Sequence, residues 1–187
     1  HYPAFVGMRD AAYRVYERRL RASLLGAPIP KHVGVILDGN RRWARAAGSN
    51  DVSKGHQAGS DKIDELLIWC TDAGIDHVTI WLLSTDNLER PAEELEPLLA
   101  IIESTLARLS GPGKRWKLRA VGALDLLPSK TAIALKDAEA ATLGRDGLEV
   151  NVAVGYGGRR EIADAVRSLL VQESAKGTSI DELAEIL

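Results

Sequence analysis

Cysteine is nearly absent from this 187-residue chain: the single Cys70 excludes an intramolecular disulfide framework and any multi-cysteine zinc site. Cys70 falls on the apolar face of an expected helix and reads as a buried structural thiol. No apolar run approaches the ~20 residues that span a bilayer, and no secretory signal is visible. Neither sign of charge dominates. With a net charge of −2, aromatics at 5% and no basic stripe interleaved with aromatics, nothing points to nucleic acid as a partner. Several familiar motifs are missing as well: G-x-x-x-x-G-K-[ST], the dinucleotide fingerprint, G-x-S-x-G around Ser84, and H-E-x-x-H. P-loop, dinucleotide, serine-hydrolase and zinc chemistries are thereby set aside. What is present, 45% hydrophobic content without repeats or low-complexity segments, suits one cytoplasmic domain with a sizeable core.

Apolar runs alternate with helical patterns along the chain. Val15, Tyr16 and Leu20 among arginines suggest an amphipathic N-terminal helix ending near Gly26. Val33, Val35, Ile36 and Leu37 read as a buried strand bounded by turn residues. Ile63, Leu66, Leu67 and Cys70 fall on one helical face, closed by Gly74. His77–Leu83 is a second strand, and Pro91 opens a helix with Leu95, Leu98, Leu99, Ile102 and Leu106 turned inward. Leu118–Val121 and Leu148–Val154 are further strands, with helices over 128–142 and around Ile162, Ala165, Val166, Leu169 and Leu170. Ser179–Leu187 begins another capped helix. Four strands alternating with helices give an α/β fold, a mostly parallel central sheet flanked by helices on both faces.

Three strand ends carry the chemistry. Asp38-Gly39-Asn40-Arg41-Arg42-Trp43 follows the first strand, Ser84 to Pro91 follows the second, and Gly155 to Arg160 follows the last. In a parallel sheet, loops at the carboxyl ends open on one edge, where ligands bind. An Asp there can hold a divalent cation through oxygen, while arginines neutralise phosphate. One carboxylate, several amide or hydroxyl groups and up to five arginines suit a Mg²⁺-diphosphate ligand better than a sugar or a peptide. Structural readings compete residue by residue. Trp43 and His56 can be packing residues, Ser84 and Asn87 can be helix caps, and Arg159 can be part of an ion pair.

Four segments, in order, resemble the cis-prenyltransferases (Z-isoprenyl diphosphate synthases, which include undecaprenyl diphosphate synthase). They are H-V-G-V-I-L-D-G-N-R-R-W-A from His32, G-H-Q-A-G at 55–59, L-L-S-T-D-N-L-E-R-P at 82–91 and N-V-A-V-G-Y-G-G-R-R-E-I at 151–162. The resemblance implies head-to-tail condensation of isopentenyl diphosphate with an allylic diphosphate to give a cis alkene, Mg²⁺ as cofactor and a homodimer. It implies at most peripheral membrane contact. Asp38 matches the aspartate that works with Mg²⁺. Gly39, Asn40, Arg41 and Arg42 match the loop around the allylic diphosphate, with Trp43 alongside and His56 nearby. Ser84 and Asn87 match residues beside the reacting carbons, Asn87 aiding proton removal. Arg90 matches a substrate-positioning arginine, and Thr85 and Asp86 lie in the same substrate loop.

Several positions depart from the commoner pattern of that family. Arg41 stands where long-chain members carry glycine, Val52 where an arginine often lies, Asp86 in place of Glu, and Leu88 in place of a frequent Trp. The family's C-terminal block, with isopentenyl diphosphate ligands and a second Mg²⁺ ligand, has no counterpart. The expectation is a single catalytic domain over 1–187 that lacks its C-terminal segment. Leu82 matches a position where long-chain members carry a small residue, so it is expected to floor the prenyl tunnel and keep the product short. The product expected from geranyl diphosphate is Z,E-farnesyl diphosphate, as in short-chain actinobacterial members. The alternatives are a longer-chain synthase, an irregular-coupling relative, and a non-catalytic partner subunit of the same fold.

Overall fold

The structure, a computed structural model, describes residues 3–24, 26–48 and 51–176; the capped helix expected over 179–187 lies outside them. The chain divides at Pro30 into two compact units. The first is one helix, α1 (Pro3–Leu24), after which Gly26 turns the chain with a φ of 85°. The second begins with β1 (His32–Ile36), α2 (Asn40–Ala46), α3 (Val52–Asp72), β2 (His77–Ser84) and α4 (Ala92–Ser110). It continues through β3 (Lys117–Val121), α5 (Ser129–Thr142), β4 (Glu149–Tyr156) and α6 (Gly158–Lys176).

The four strands form a parallel sheet in the order β1-β2-β4-β3. β2 and β4 are central, and their alternate residues Val78, Ile80, Val150 and Val152 are at most 1% exposed. Leu67, Leu99, Ile102, Leu106 and Leu135, from α3, α4 and α5, complete this core. Burying each such side chain contributes about 1.5–3 kcal/mol.

β1 is an edge strand, which corrects the reading of a fully buried first strand. Val33 and Val35 are half-buried, while Ile36 is 66% exposed. An apolar run alone cannot tell a central strand from an edge strand, because the order in the sheet is set by long-range pairing. The parallel sheet with its helices is the α/β fold expected, and α3, α4 and α5 contribute to the core on its apolar face. The other face carries a polar row. His32 bonds to Thr79 across β1 and β2 (2.8 Å), Asn151 of β4 donates to the same hydroxyl (3.2 Å), and Glu149 faces His77, Lys117 and Arg119. In α6 only Val166 and Leu169 of the expected apolar face are half-buried; Ile162, Ala165 and Leu170 are exposed. Cys70 is buried as expected, and burial pushes its thiol pKa up.

Candidate active site

At the carboxyl ends of β1 and β2 lies a cavity of about 800 Å³, bounded by the sheet and by α2, α3 and α4. Its two ends differ chemically. The outer end presents Asp38, Gly39, Asn40, Arg41, Arg42, Arg45, His56, Ser84, Asp86, Asn87 and Arg90; the inner end is walled by Ile63, Leu82, Leu83, Leu98, Ile101 and Ile102. Four guanidinium groups meet Asp38 and Asp86 in the wall and Glu94 behind it, four positive charges against three negative, so the site favours an anion.

The outer loop is shaped by its glycines. Gly39 turns at a φ of 90°, a conformation that any side chain would strain, and directs α2 away from β1. Gly55 and Gly59, one turn apart on α3, receive the start of α2. A Cβ at 55 would lie 2.1 Å from the Asn40 carbonyl oxygen, and one at 59 would lie 2.6 Å from Asn40 Oδ1. The G-H-Q-A-G segment is therefore a helix-packing notch, with His56 carried between its two glycines. Asn40 itself donates to the Leu37 carbonyl (3.3 Å). Asp38 is 78% exposed; its Oδ1 accepts from the Gly39 amide, and its Oδ2 lies 3.2 Å from the Arg42 guanidinium.

Ser84, Asn87 and Arg90 form one linked set. The Asn87 amide, within the short 3-10 turn Asp86–Glu89, donates to Ser84 Oγ (3.2 Å). One nitrogen of Arg90 donates to Asn87 Oδ1 (2.8 Å), leaving the Asn87 side-chain N–H groups unengaged by that bond. The other donates to Glu94 Oε1 (2.8 Å), which also lies 3.6 Å from Arg41. Glu94 thus holds two of the cavity's arginines. It escaped the sequence reading, although its i,i+4 spacing from Arg90 was the available signal. Arg45 was missed too, one turn beyond Arg41 on α2. His56 is half-buried with its Nε2 unpartnered, and its pKa lies below the usual value. Burial is the main cause and the Arg90 charge the next; Glu94 opposes the shift and Arg41 reinforces it.

Leu82 owes its position to a bulge. Trp81 pairs with Ala153 and Leu83 with Val154, so Leu82 is an extra residue on β2. The alternation slips there, and Leu82 and Leu83 both line the cavity.

Two expected contacts lie elsewhere. Trp43 is 55% exposed and outside the cavity wall. Thr85 packs against Gly157, where a Cβ would come within 2.5 Å of its hydroxyl. The third arginine loop opens on a separate crevice of about 250 Å³ with Asp125, Glu161 and Asp164; Arg160 pairs there with Asp125 (3.3 Å) and Asp164 (3.4 Å). Arg159 is exposed. Convergence of all three loops on one crevice is thus corrected to two. β4 has β3 on its far side, and the loop after it leads toward that neighbour.

Among the described residues, no three His, Cys, Asp or Glu side chains cluster as a metal cage, and no helix is long and apolar enough to cross a membrane. A Mg²⁺ ion commonly takes one or two carboxylates together with substrate phosphate oxygens, and the exposed Asp38 fits that pattern.

The model of the undecaprenyl diphosphate synthase family of prenyltransferases matches residues 36–186. The chain is 61% identical over 172 residues to a (2Z,6E)-farnesyl diphosphate synthase of Thermobifida fusca, covering 92% of this chain and 67% of that protein. Against the enzyme of the same name from Mycolicibacterium smegmatis it is 48% identical over 181 residues, covering 95% and 69%. It spans about two thirds of the length of these relatives. Among solved structures, lavandulyl diphosphate synthase from Lavandula x intermedia, in complex with dimethylallyl diphosphate, aligns with a TM-score of 0.75 at 30% identity. That alignment covers 82% of this chain and 66% of the other.

Proposed function

Because the chain belongs to the undecaprenyl diphosphate synthase family of prenyltransferases, we propose that it elongates a short allylic diphosphate, geranyl diphosphate, with one isopentenyl diphosphate. The product is Z,E-farnesyl diphosphate. The observation that carries this reading is the two-ended cavity, arginine-rich outside and aliphatic inside, with Leu82 in its inner wall. That shape suits a diphosphate head with a short prenyl tail. The T. fusca and M. smegmatis relatives carry the corresponding name.

In the reaction, the allylic C1–O bond breaks and its electron pair leaves with the diphosphate. The isopentenyl double bond supplies the pair for the new carbon–carbon bond, and a proton passes from C2 to an oxygen of the released diphosphate to leave a cis alkene. Arg41, Arg42, Arg45 and Arg90 stabilise the negative charge that grows on the leaving group. Asp38 would hold Mg²⁺ against the diphosphate, which adds Lewis-acid stabilisation of that charge. The Arg42 guanidinium, 3.2 Å from Asp38, would then be placed to meet a phosphate oxygen. Ser84 and Asn87 sit at the junction of the two ends, beside the carbons that react. Asn87 assists proton removal by holding the substrate through its amide N–H groups, since Arg90 occupies its oxygen. The aliphatic end keeps water from the allylic cation.

The same reading has the protein acting as a homodimer in the cytoplasm, with residues 1–187 as one catalytic domain and only peripheral membrane contact through substrate and product. Coupling of two dimethylallyl units is a second reading, favoured by the fold shared with lavandulyl diphosphate synthase. One assay separates them: full-length protein with Mg²⁺, labelled isopentenyl diphosphate and dimethylallyl, geranyl or E,E-farnesyl diphosphate, with products sized by chromatography. A single C15 product from geranyl diphosphate is expected. A ladder of long products would overturn the short-chain assignment, and product from dimethylallyl diphosphate alone would favour irregular coupling. Inactivity with every primer would favour a non-catalytic partner subunit.

A further inference from the structure

The inner end of the cavity is not wholly aliphatic. Ser60 of α3 and Thr105 of α4 also line it, at 6% and 2% exposure, with their hydroxyl oxygens 2.6 Å apart. Their proton directions follow from their other partners. Thr105 donates to the Ile101 carbonyl (2.7 Å), so the Ser60 hydroxyl donates to Thr105, and Ser60 Oγ accepts from Arg108 (3.1 Å). Arg108 also donates to the Ser60 carbonyl (2.9 Å) and pairs with Asp64, to which Lys114 is bonded at 2.7 Å. Along α4, Thr105 lies ~16 Å beyond Glu94, which marks the outer end, at 1.5 Å per residue.

We propose that the hydrogen-bonded Ser60–Thr105 pair, braced by Arg108, is a chain-length stop that ties α3 to α4 across the inner end of the cavity; this rests on the prenyl-elongating reading above. The pair is satisfied within the protein, so it neither holds the cavity open nor draws in water. A prenyl tail pressing between the helices must part the hydroxyls, and it has no donor or acceptor with which to repair the broken bonds. Leu82 limits the tail from the sheet side, and the clasp limits it from the helix side. A leucine resists by bulk alone, whereas the clasp resists because separating it leaves buried polar groups unpaired.

The test measures product lengths of the full-length protein with geranyl and isopentenyl diphosphates. It compares wild type, Thr105→Val, Ser60→Ala with Thr105→Val, and Thr105→Ser. Thr105→Val keeps the side-chain volume while removing the hydroxyl, so cavity size changes little. The expected result is a rise of about tenfold in the share of products at least one isoprene unit longer in the Val variants, the size of effect that losing one buried hydrogen bond allows. Thr105→Ser keeps the wild-type length. A second readout is binding of allylic diphosphates of increasing tail length, followed through the fluorescence of Trp81 in the cavity wall. The longest tail bound should increase in the Val variants even if their turnover falls. Val variants that elongate and bind tails only to the wild-type length overturn the clasp and leave the elongating function standing. A wild type that neither elongates nor binds any allylic diphosphate overturns both.

Discussion

Gly39-Asn40-Arg41-Arg42 and Gly157-Gly158-Arg159-Arg160 are near copies of one recipe, a glycine turn at a parallel strand's carboxyl end with two arginines opening a helix. Their surroundings make them opposites. The first turn faces a cavity in which Arg41, Arg42, Arg45 and Arg90 outnumber the carboxylates, and Asp38 remains 78% exposed. The second faces a crevice where Asp125, Glu161 and Asp164 gather around Arg160. There the Tyr156 phenol is pushed above its usual pKa, chiefly by its hydrogen bond to Glu161. The charge balance around the first turn favours an anion, and that around the second does not. Arginine at a helix start is therefore an incomplete signal: the carboxylates brought beside it decide whether its charge is available.

The largest effect should come from removing the one feature the second turn cannot imitate. Asp38→Ala is expected to lower Mg²⁺-dependent incorporation of isopentenyl diphosphate by about 10²–10³-fold, the scale of losing one preorganised charge-stabilising group. Circular dichroism should be unchanged, because the side chain is exposed. A turnover near wild type would remove Asp38 from the chemistry. Next is the notch that seats the first turn: Gly59→Ala forces Asn40 aside and should raise KM for the allylic diphosphate by about tenfold. An unaltered KM would mean that the Asn40 contact does not set the loop.

Leu82→Ala is expected to lengthen the product while costing less stability than the ~2–5 kcal/mol of a fully buried leucine, because Leu82 is half-buried; denaturant titration measures it. A product still limited to C15 would leave the bulged leucine without a role in length.

The pH dependence is smaller. The His56 pKa lies below its unfolded value near 6.5, so between those two values the unfolded chain binds more protons than the folded one. Stability should therefore fall as pH drops below about 6.5. His56→Gln should flatten the dependence of the thermal midpoint between pH 7 and 5. An equally steep loss in the variant would assign the effect to other groups.

The smallest effect belongs to the second turn. Arg160→Ala breaks exposed ion pairs, each worth ~0–1 kcal/mol, and should leave turnover within about twofold of wild type. A drop as large as that expected of Asp38→Ala would erase the distinction between the two turns.

Much of the fold was legible in the sequence because its elements carry local punctuation. Gly74 after the 63–70 face, Pro91 before the 95–106 face and the β-branched runs of β2 and β4 each mark a boundary through nearby backbone chemistry. The candidate site was legible only in part. Asp38, Asn40, Arg41, Arg42, His56, Ser84, Asn87 and Arg90 were named from motifs and meet at one cavity. Trp43 and Thr85 were named from the same motifs and lie outside its wall, while Arg45, Glu94, Ser60 and Thr105 went unnamed. A motif specifies neighbours along the chain. Glu94 matters because α4 carries it back to Arg41, and Ser60 because α3 meets α4.

The alternation of strands and helices, the glycine turn at 39 and the family resemblance could be read from the chain alone, because each rests on residues a few positions apart. Long-range packing puts β1 at the edge, makes Leu82 an extra residue in the cavity wall, and sets one arginine turn among more arginines than carboxylates and its near copy among three carboxylates. Strand order, register and counter-charge depend on residues tens of positions apart. No local periodicity records such pairings, because they form only when the sheet and its helices come together.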